Sequence, residues 1–200
     1  MDSLFAGCGY VGRQVALREL ADGSAVAAMV RTAESAERLN QEGVEAVSID
    51  LENECPGIGP LGGRVLYWFA PPQPEDDQDR RLRYFIHCAD QSGEWPSRVV
   101  LISTTGVYGD CHGEWVTEDR VVEPLTGRAR RRVDAEQSMQ GWCQTHDIPI
   151  VVLRVPGIYG AGKLPLKRLR EGLPVLTPKL APWSNRVHVE DLISACLAAA

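Results

Sequence analysis

The sequence predicts an α/β fold built on a doubly wound parallel sheet, and three observations carry that expectation. Short apolar runs alternate with longer segments of helical spacing over the first 160 residues, the order expected of a parallel sheet with helices on both faces. A glycine-rich turn, Gly7-Cys8-Gly9-Tyr10-Val11-Gly12, directly follows the first apolar run. The chain also lacks internal repeats, low-complexity stretches and Ser/Gly linkers that would indicate another organisation.

The elements follow in order. Leu4-Phe5-Ala6 opens the first strand, which runs into the glycine turn. Val11, Val15, Ala16 and Leu20 recur at helical spacing and predict a helix closing near Gly23. Residues 25–30 read as a second strand; Thr32 is placed to cap the next helix, with Glu34 in its first turn and Gly43 at its exit. Val47-Ser48-Ile49 predicts a third strand ending at Asp50, and residues 65–69 a fourth, broken by Pro71-Pro72. Glu75-Asp76-Asp77 leads into a helix with Leu82, Phe85, Ile86 and Ala89 inward, since negative charge favours a helix N-terminus. Residues 99–102 and 150–153 give strands five and six, with a long helix over 126–142 between them. Beyond Gly160 the pattern loosens, with Pro165, Pro174, Pro178 and Pro182 close together. Residues 1–160 are therefore expected to form a Rossmann-type sheet, and 161–200 a small, irregular substrate-side segment of the same structural domain. The last helical stretch, 190–200, has no cap or polar tail, so the chain is expected to stop short of a complete fold.

Composition narrows the function. Hydrophobic content of 44% against 24% charged residues is enough for a sizeable core. A net charge of −6 argues against a nucleic-acid partner, which would call for a basic face. No apolar run approaches the ~18–20 residues of a membrane span, and the N-terminus has no basic leader of a signal peptide. Cys8, Cys55, Cys88, Cys111, Cys143 and Cys196 are scattered without a C-x-x-C pair, which predicts reduced thiols and a cytoplasmic protein rather than a disulfide frame or zinc site. The four histidines are as dispersed, so no metal is expected. The expected partner is a small-molecule substrate, with a homodimer left open. Trp68, Trp95, Trp115, Trp142 and Trp183 show no repeat and read as core and loop packing.

The glycine turn carries the chemistry. In G-x-G-x-x-G the first glycine permits a tight turn, the second lets backbone approach a pyrophosphate, and the third lets helix and strand pack closely. The helix N-terminus beyond it offers free N–H groups to phosphates. The strand-turn-helix context is the one the motif requires, so Gly7, Gly9, Tyr10, Val11 and Gly12 are expected to bind a dinucleotide. Where an NAD site usually carries Asp or Glu, about 20 residues on, this chain has Arg31-Thr32. A guanidinium and a hydroxyl there suit a 2′-phosphate, which favours NADP(H) over NAD(H). The alternative is a solvated arginine stacked loosely on adenine. Asp50 is placed to meet the adenine edge, or is an ordinary turn aspartate.

Further motifs, in order, resemble the extended short-chain dehydrogenase/reductases, specifically the NAD-dependent epimerase/dehydratase family. Ser103-Thr104-Thr105-Gly106-Val107-Tyr108-Gly109 is similar to that family's strand-five signature, Ser-Ser/Thr-x-x-Val-Tyr-Gly. Residues 153–162, Leu-Arg-Val-Pro-Gly-Ile-Tyr-Gly-Ala-Gly, resemble its strand-six signature, and Asn185-Arg186-Val187-His188-Val189-Glu190-Asp191 its later Arg-x-(Phe/Val)-His-Val-x-Asp segment. The resemblance implies that Thr104 meets the reacting carbonyl or hydroxyl. It implies also that Pro156, Gly157 and Ile158 line the nicotinamide, and that Ala70, Pro71 and Pro72 pass beneath the cofactor. The family's proton chemistry rests on Tyr-x-x-x-Lys on one helix face, the lysine lowering the tyrosine pKa. Aligning Glu136 with the acidic residue that often follows that motif puts Arg128 at the tyrosine and Arg132 at the lysine. An arginine stays protonated at neutral pH and does not exchange a proton as a phenol does, which identifies an atypical member.

Arg132 is left as a candidate for holding the ribose or an anionic substrate. Tyr108 and Tyr159, at the carboxyl ends of strands, are secondary proton-donor candidates, although the resemblance implies a structural role for both, and His188 reads as a packed, hydrogen-bonded residue. The run Arg128, Arg130, Arg131, Arg132 is either a solvated face supported by Arg130–Asp134 and Arg132–Glu136 pairs or an anion-binding edge beside the cofactor. Two functions follow: an NAD(P)-dependent oxidoreductase or epimerase/dehydratase-like enzyme acting on a small hydroxyl/carbonyl or sugar-nucleotide-type substrate, or a non-catalytic module sensing NADP(H) redox state. A scaffold that binds nothing fits the glycine spacing poorly.

Overall fold

The computed structural model describes residues 1–200 apart from 54, 56–60, 165, 178–179 and 181–183. Six strands, β1 (Ser3–Ala6), β2 (Val26–Val30), β3 (Glu45–Ser48), β4 (Val65–Trp68), β5 (Arg98–Thr104) and β6 (Ile150–Val155), pair in parallel in the order β3-β2-β1-β4-β5-β6. The order reverses at β1, so a crevice opens beyond the carboxyl ends of β1 and β4, where sheets of this kind take their ligands.

The strands read as apolar runs because both faces of the sheet are covered. Phe5, Val65, Tyr67 and Val100 point to one side, where α1 (Tyr10–Ala21), α2 (Ala33–Gln41) and α6 (Val189–Ala199) supply Val15, Leu39 and Ile193. Leu4, Leu66, Trp68, Val99 and Leu101 point to the other, against Leu82, Phe85 and Met139 of α3 (Arg80–Ser92) and α4 (Gly127–Thr145). Phe5 stacks on Tyr67 at a ring separation of 4.4 Å in the first layer, and Trp68 packs on Phe85 at 4.9 Å in the second.

The expected strands and helices are present, with shifts that have physical causes. β3 begins and ends earlier than expected because it is the sheet's edge: Ala46 is buried while Val47 is 52% exposed. Thr32 caps α2, its hydroxyl oxygen accepting from Ser35 N. Asp79, rather than the preceding acidic run, caps α3 by accepting from Leu82 N. On α1 the buried residue of the last turn is Glu19, with Leu20 half-buried, because the Tyr67 hydroxyl donates to Glu19 Oε1 across 2.6 Å inside the core. Just before Gly160 the chain forms β7 (Gly157–Tyr159), and beyond it α5 (Leu166–Arg170) and β8 (Arg186–His188), which pairs in parallel with β7; the sequence reading did not foresee this pair. Pro165, Pro178, Pro182 and Trp183 lie outside the described residues. Of the other tryptophans, Trp68 and Trp142 are buried and Trp95 stacks on His146, whereas Trp115 is fully exposed.

The expectation of six reduced cysteines is corrected. Cys55 and Cys88 form a disulfide with Cα atoms 5.5 Å apart, tying the segment after β3 to α3. Nothing local announces it; the two residues meet because Leu51 and Leu61, on either side of Cys55, pack in the same layer as Phe85 and Ala89. Cys8, Cys111, Cys143 and Cys196 are free. Among the described residues no helix is long and apolar enough to cross a membrane.

The second oxygen of Glu19 is sealed without a partner, so the phenol of Tyr67 is the carboxylate's sole compensation in that pocket. Tyr67→Phe is expected to lower unfolding stability by about 1–3 kcal/mol, the cost of stranding a buried acceptor, as read by urea denaturation. An unchanged midpoint would show that the pair contributes nothing.

Candidate functional site

The residues singled out for cofactor binding gather along one edge of the sheet. Gly7 follows β1, Arg31 follows β2 and Asp50 comes two residues after β3. Ala70 comes two residues after β4, Thr104 is the last residue of β5, and Pro156 follows β6. Thr104 pairs in register with Val155, which sets Pro156 beside it.

The three glycines of the turn differ in what surrounds them. Gly7 has φ +86°, and a Cβ there would lie 2.6 Å from the Ala70 nitrogen, so β1 leaves the sheet in backbone contact with the exit of β4. A Cβ at Gly12 would meet the Gly7 carbonyl at 2.9 Å. At Gly9 nothing lies within 4 Å of that position. The first turn of α1 has no side-chain cap, so its leading N–H groups are offered outward. This cradle fits a dinucleotide pyrophosphate. Burial pushes the Cys8 thiol up to about 12, so no thiolate stands in the turn to repel a phosphate. Val11 is buried under it. Tyr10 donates its hydroxyl to the Ala161 carbonyl at 2.8 Å. Gly9, Tyr10, Arg13, Ala161 and His188 line a groove of about 660 Å³ whose walls do not include Thr104 or Arg132.

Arg31 and Thr32 part company. The Thr32 hydroxyl accepts from Ser35 N and donates to Ser35 Oγ at 2.8 Å, so it is committed to the cap. Arg31 is exposed, and among the described residues its guanidinium has no carboxylate partner. Both carboxylate oxygens of Asp50 close the turn after β3, accepting from Glu52 N at 3.0 Å and Asn53 Nδ2 at 2.7 Å. These bonds, that of Glu52 first, hold its carboxyl below the usual range.

At the end of β5, Thr104 Oγ1 accepts from Gly106 N at 3.2 Å and caps a 3-10 turn over Thr105–Tyr108, leaving its own proton for another acceptor. Tyr108 is nearly buried and accepts from Arg154 Nη1 at 2.8 Å. That arginine belongs to a network the sequence reading missed. Its fork grips Glu136 (Nη2 to Oε2 2.8 Å, Nε to Oε2 3.2 Å), and Ser103 Oγ donates to the other oxygen of Glu136. The bonds to Glu136, then to Tyr108, raise the Arg154 pKa above its ordinary value. The motif residues Arg154 and Glu136 were visible in the sequence; their pairing was not.

Helix α4 contains no tyrosine and no lysine. Tyr159 and Lys163 have the Tyr-x-x-x-Lys spacing, but sit on β7 and in the turn after it rather than on a helix face. Arg128 is exposed, and Arg132 is buried with Nη1 donating to the Ile102 carbonyl at 3.0 Å. The expected intrahelical pairs do not form. Arg130 reaches Asp77, Asp134 takes Arg83 from α3, and Glu136 takes Arg154, because partners on facing elements offer better geometry than the helix surface. Arg131 is buried as well, donating to the Asp76 carbonyl. Burial above all lowers the Arg132 pKa; Asp79 attracts its charge and Arg128 repels it. Asp79, itself sealed, spends one oxygen on the α3 cap and leaves the other without a partner. His188 caps α6 and packs against Tyr159, as a structural histidine would.

Two outcomes follow from this geometry. Gly12→Ala is expected to cost about 1–3 kcal/mol by overpacking and Gly7→Ala more, since strain at positive φ adds to the collision. Gly9→Ala should leave the unfolding free energy from urea titration within about 1 kcal/mol of the native value yet abolish dinucleotide binding; a mutant that still binds would remove the cradle from consideration. For Asp79, burial raises the folded pKa above its ordinary 3.8. Its contribution to stability is therefore full below that value and declines as pH rises toward the folded one. Stability of the native sequence relative to Asp79→Asn should thus fall with rising pH across that window, and a flat difference in urea titrations would show an unperturbed carboxyl.

The model of the NAD dependent epimerase/dehydratase family matches residues 73–200, while no curated protein matches the chain. Among solved structures, a functionally unknown conserved protein from Silicibacter pomeroyi DSS superposes with a TM-score of 0.81 at 29% identity, over 98% of this chain and 67% of that one. A putative NAD-dependent epimerase/dehydratase from Methylobacillus flagellatus gives 0.72 at 25% identity, over 98% and 68%. The UDP-glucose 4-epimerase of Thermus thermophilus, solved in complex with NAD, gives 0.77 at 22% identity, over 100% and 74%, a likeness of fold. The sheet order, the glycine cradle and a family match over more than half its length place this chain in the NAD-dependent epimerase/dehydratase family.

Proposed function

We propose that this chain is an NAD(P)-dependent oxidoreductase or epimerase/dehydratase-like enzyme that takes NADP(H) in preference to NAD(H) and acts on a small hydroxyl/carbonyl or sugar-nucleotide-type substrate. The observation that carries the reading is the open position over Gly9, next to an uncapped α1, with Arg31, which has no carboxylate partner among the described residues, just after the adjacent strand. When bound, the nicotinamide supplies hydride transfer. The chain's own part is to hold the pyrophosphate on α1, the 2′-phosphate on Arg31, and the nicotinamide against Pro156, Gly157 and Ile158. Thr104, at the end of β5 with a hydroxyl proton to give, orients the reacting oxygen.

A second reading rests on a different observation, the absence of any phenol on α4. In it the chain binds NADP(H) without turnover and reports its redox state, which requires unequal affinity for the two forms.

Calorimetric titration with NADP⁺, NADPH, NAD⁺ and NADH, on the native chain and on Arg31→Ala, tests the cofactor claim. Native protein should prefer the phosphorylated pair. Arg31→Ala should lose about tenfold to a hundredfold for that pair alone, the worth of a charge-assisted hydrogen bond of ~1.5–3 kcal/mol. Equal affinity for NAD(H) and NADP(H), unchanged in the mutant, would overturn the preference. Turnover on any carbonyl or sugar-nucleotide substrate that falls in Thr104→Ala supports the enzyme. Tight, redox-discriminating binding without turnover supports the sensor.

A further inference from the structure

We propose that Arg128 and Arg132 together form a receptor for a carboxylate on the substrate, so that the reaction's substrate class is an acidic hydroxy- or oxo-compound. This deepens the enzymatic reading above and rests on it.

The two guanidiniums stand one turn apart on α4, a spacing at which like charges destabilise a helix. Arg128 is close enough to repel Arg132. The neighbouring carboxylates are spoken for: Asp134 by Arg83, Glu136 by Arg154 and Ser103, Asp77 by Arg130, Asp76 by Arg80. Asp79 attracts Arg132 but forms no ion pair with it among the described contacts, and one of its own oxygens is unpartnered. Among the described residues, then, two positive charges share one helix face with no carboxylate on either.

Position gives this pair a use. Arg132, 8% exposed, is fixed by the Ile102 carbonyl two residues before Thr104. A guanidinium has five N–H donors, and among the described residues one bond engages Arg132. Arg131 has a sealed, unpartnered Nε, whereas no Arg132 nitrogen is among the sealed, unpartnered atoms of the described residues. A planar two-oxygen anion matches the planar fork and neutralises both arginines at once. Such a group would anchor a substrate with its hydroxyl or carbonyl toward Thr104.

The test is calorimetric titration of malonate into the full chain, with and without saturating NADP⁺, compared with inorganic phosphate. Native protein should bind one malonate, more weakly as ionic strength rises. Arg128→Gln should lose tenfold or more while Arg128→Lys retains part. Because Arg128 is exposed, its substitution does not threaten the fold, and circular dichroism of Arg128→Gln should match the native protein. No malonate binding, or equal binding by Arg128→Gln, overturns the receptor; phosphate bound more tightly than malonate overturns the carboxylate. If NADP⁺ itself fails to bind, the cofactor reading falls, while the Arg128 dependence of malonate binding in its absence still decides the receptor.

Discussion

The buried carboxylate of Glu136 is the constraint on which the rest of the site depends. A charge sealed to this degree costs several kcal/mol unless its partners are well placed. Here a forked arginine from β6 and a hydroxyl from β5 converge on it. The same arginine reaches on to the Tyr108 hydroxyl and the Glu118 carbonyl. One ion pair thus ties α4, the last two strands, the 3-10 turn and the loop beyond it. It also sets the rotation of α4. With Glu136 turned into the sheet, the residues one and two turns earlier on that face are Arg132 and Arg128. Strand alternation works from the other side, sending Ser103 to Glu136 and turning Thr104 away from it. What stands at the carboxyl end of β5 follows from how one carboxylate is satisfied.

The opposite half of the cleft is organised by close backbone contact rather than charge. Gly7 brings β1 against the exit of β4, and Gly12 brings α1 against Gly7. These approaches leave the vacant volume over Gly9, since the helix N-terminus is drawn in to where its N–H groups look outward. A methyl group at Gly7 or Gly12 would have to displace backbone, while one at Gly9 would meet nothing within 4 Å. Close packing and open space are thus divided among three residues of one motif.

What was legible in the sequence is what local rules decide. The central strands were visible because Phe5, Tyr67 and Val100 on one face and Leu66, Trp68 and Leu101 on the other are all buried, which leaves no polar residue to interrupt the run. Thr32 was visible as a cap, and the glycine turn from its own spacing. The rest depended on partners distant in the chain. Cys55 finds Cys88 through a packed layer, Glu19 is tolerated inside only because Tyr67 lies across from it, and Arg130 abandons Asp134 for Asp77 once the loop before α3 folds back. That loop is itself built around Gln73, sealed and bonded to the Glu75 and Gln78 carbonyls and the Arg80 N–H. No periodicity announces such a glutamine. β7 and β8, three residues each, are too short to show any period.

The charge on α4 separates two things that the phenol–ammonium pair of the wider family performs together. A tyrosine beside a lysine both orients the substrate and exchanges a proton with it, because the ammonium lowers the phenol pKa. In the proposed receptor two arginines would keep the orienting part, since each can offer two parallel donors. They give up the proton, since a guanidinium does not release one near neutral pH. Burying Arg132 lowers its pKa in the direction of proton release, but Asp79 opposes that shift. In the proposed enzyme, proton exchange would therefore fall to Thr104 with water behind it, or to a group carried by the substrate. An acidic substrate is then more than a matching charge, because a carboxylate held at Arg128 and Arg132 can orient the reacting oxygen while the arginines themselves do no acid–base work.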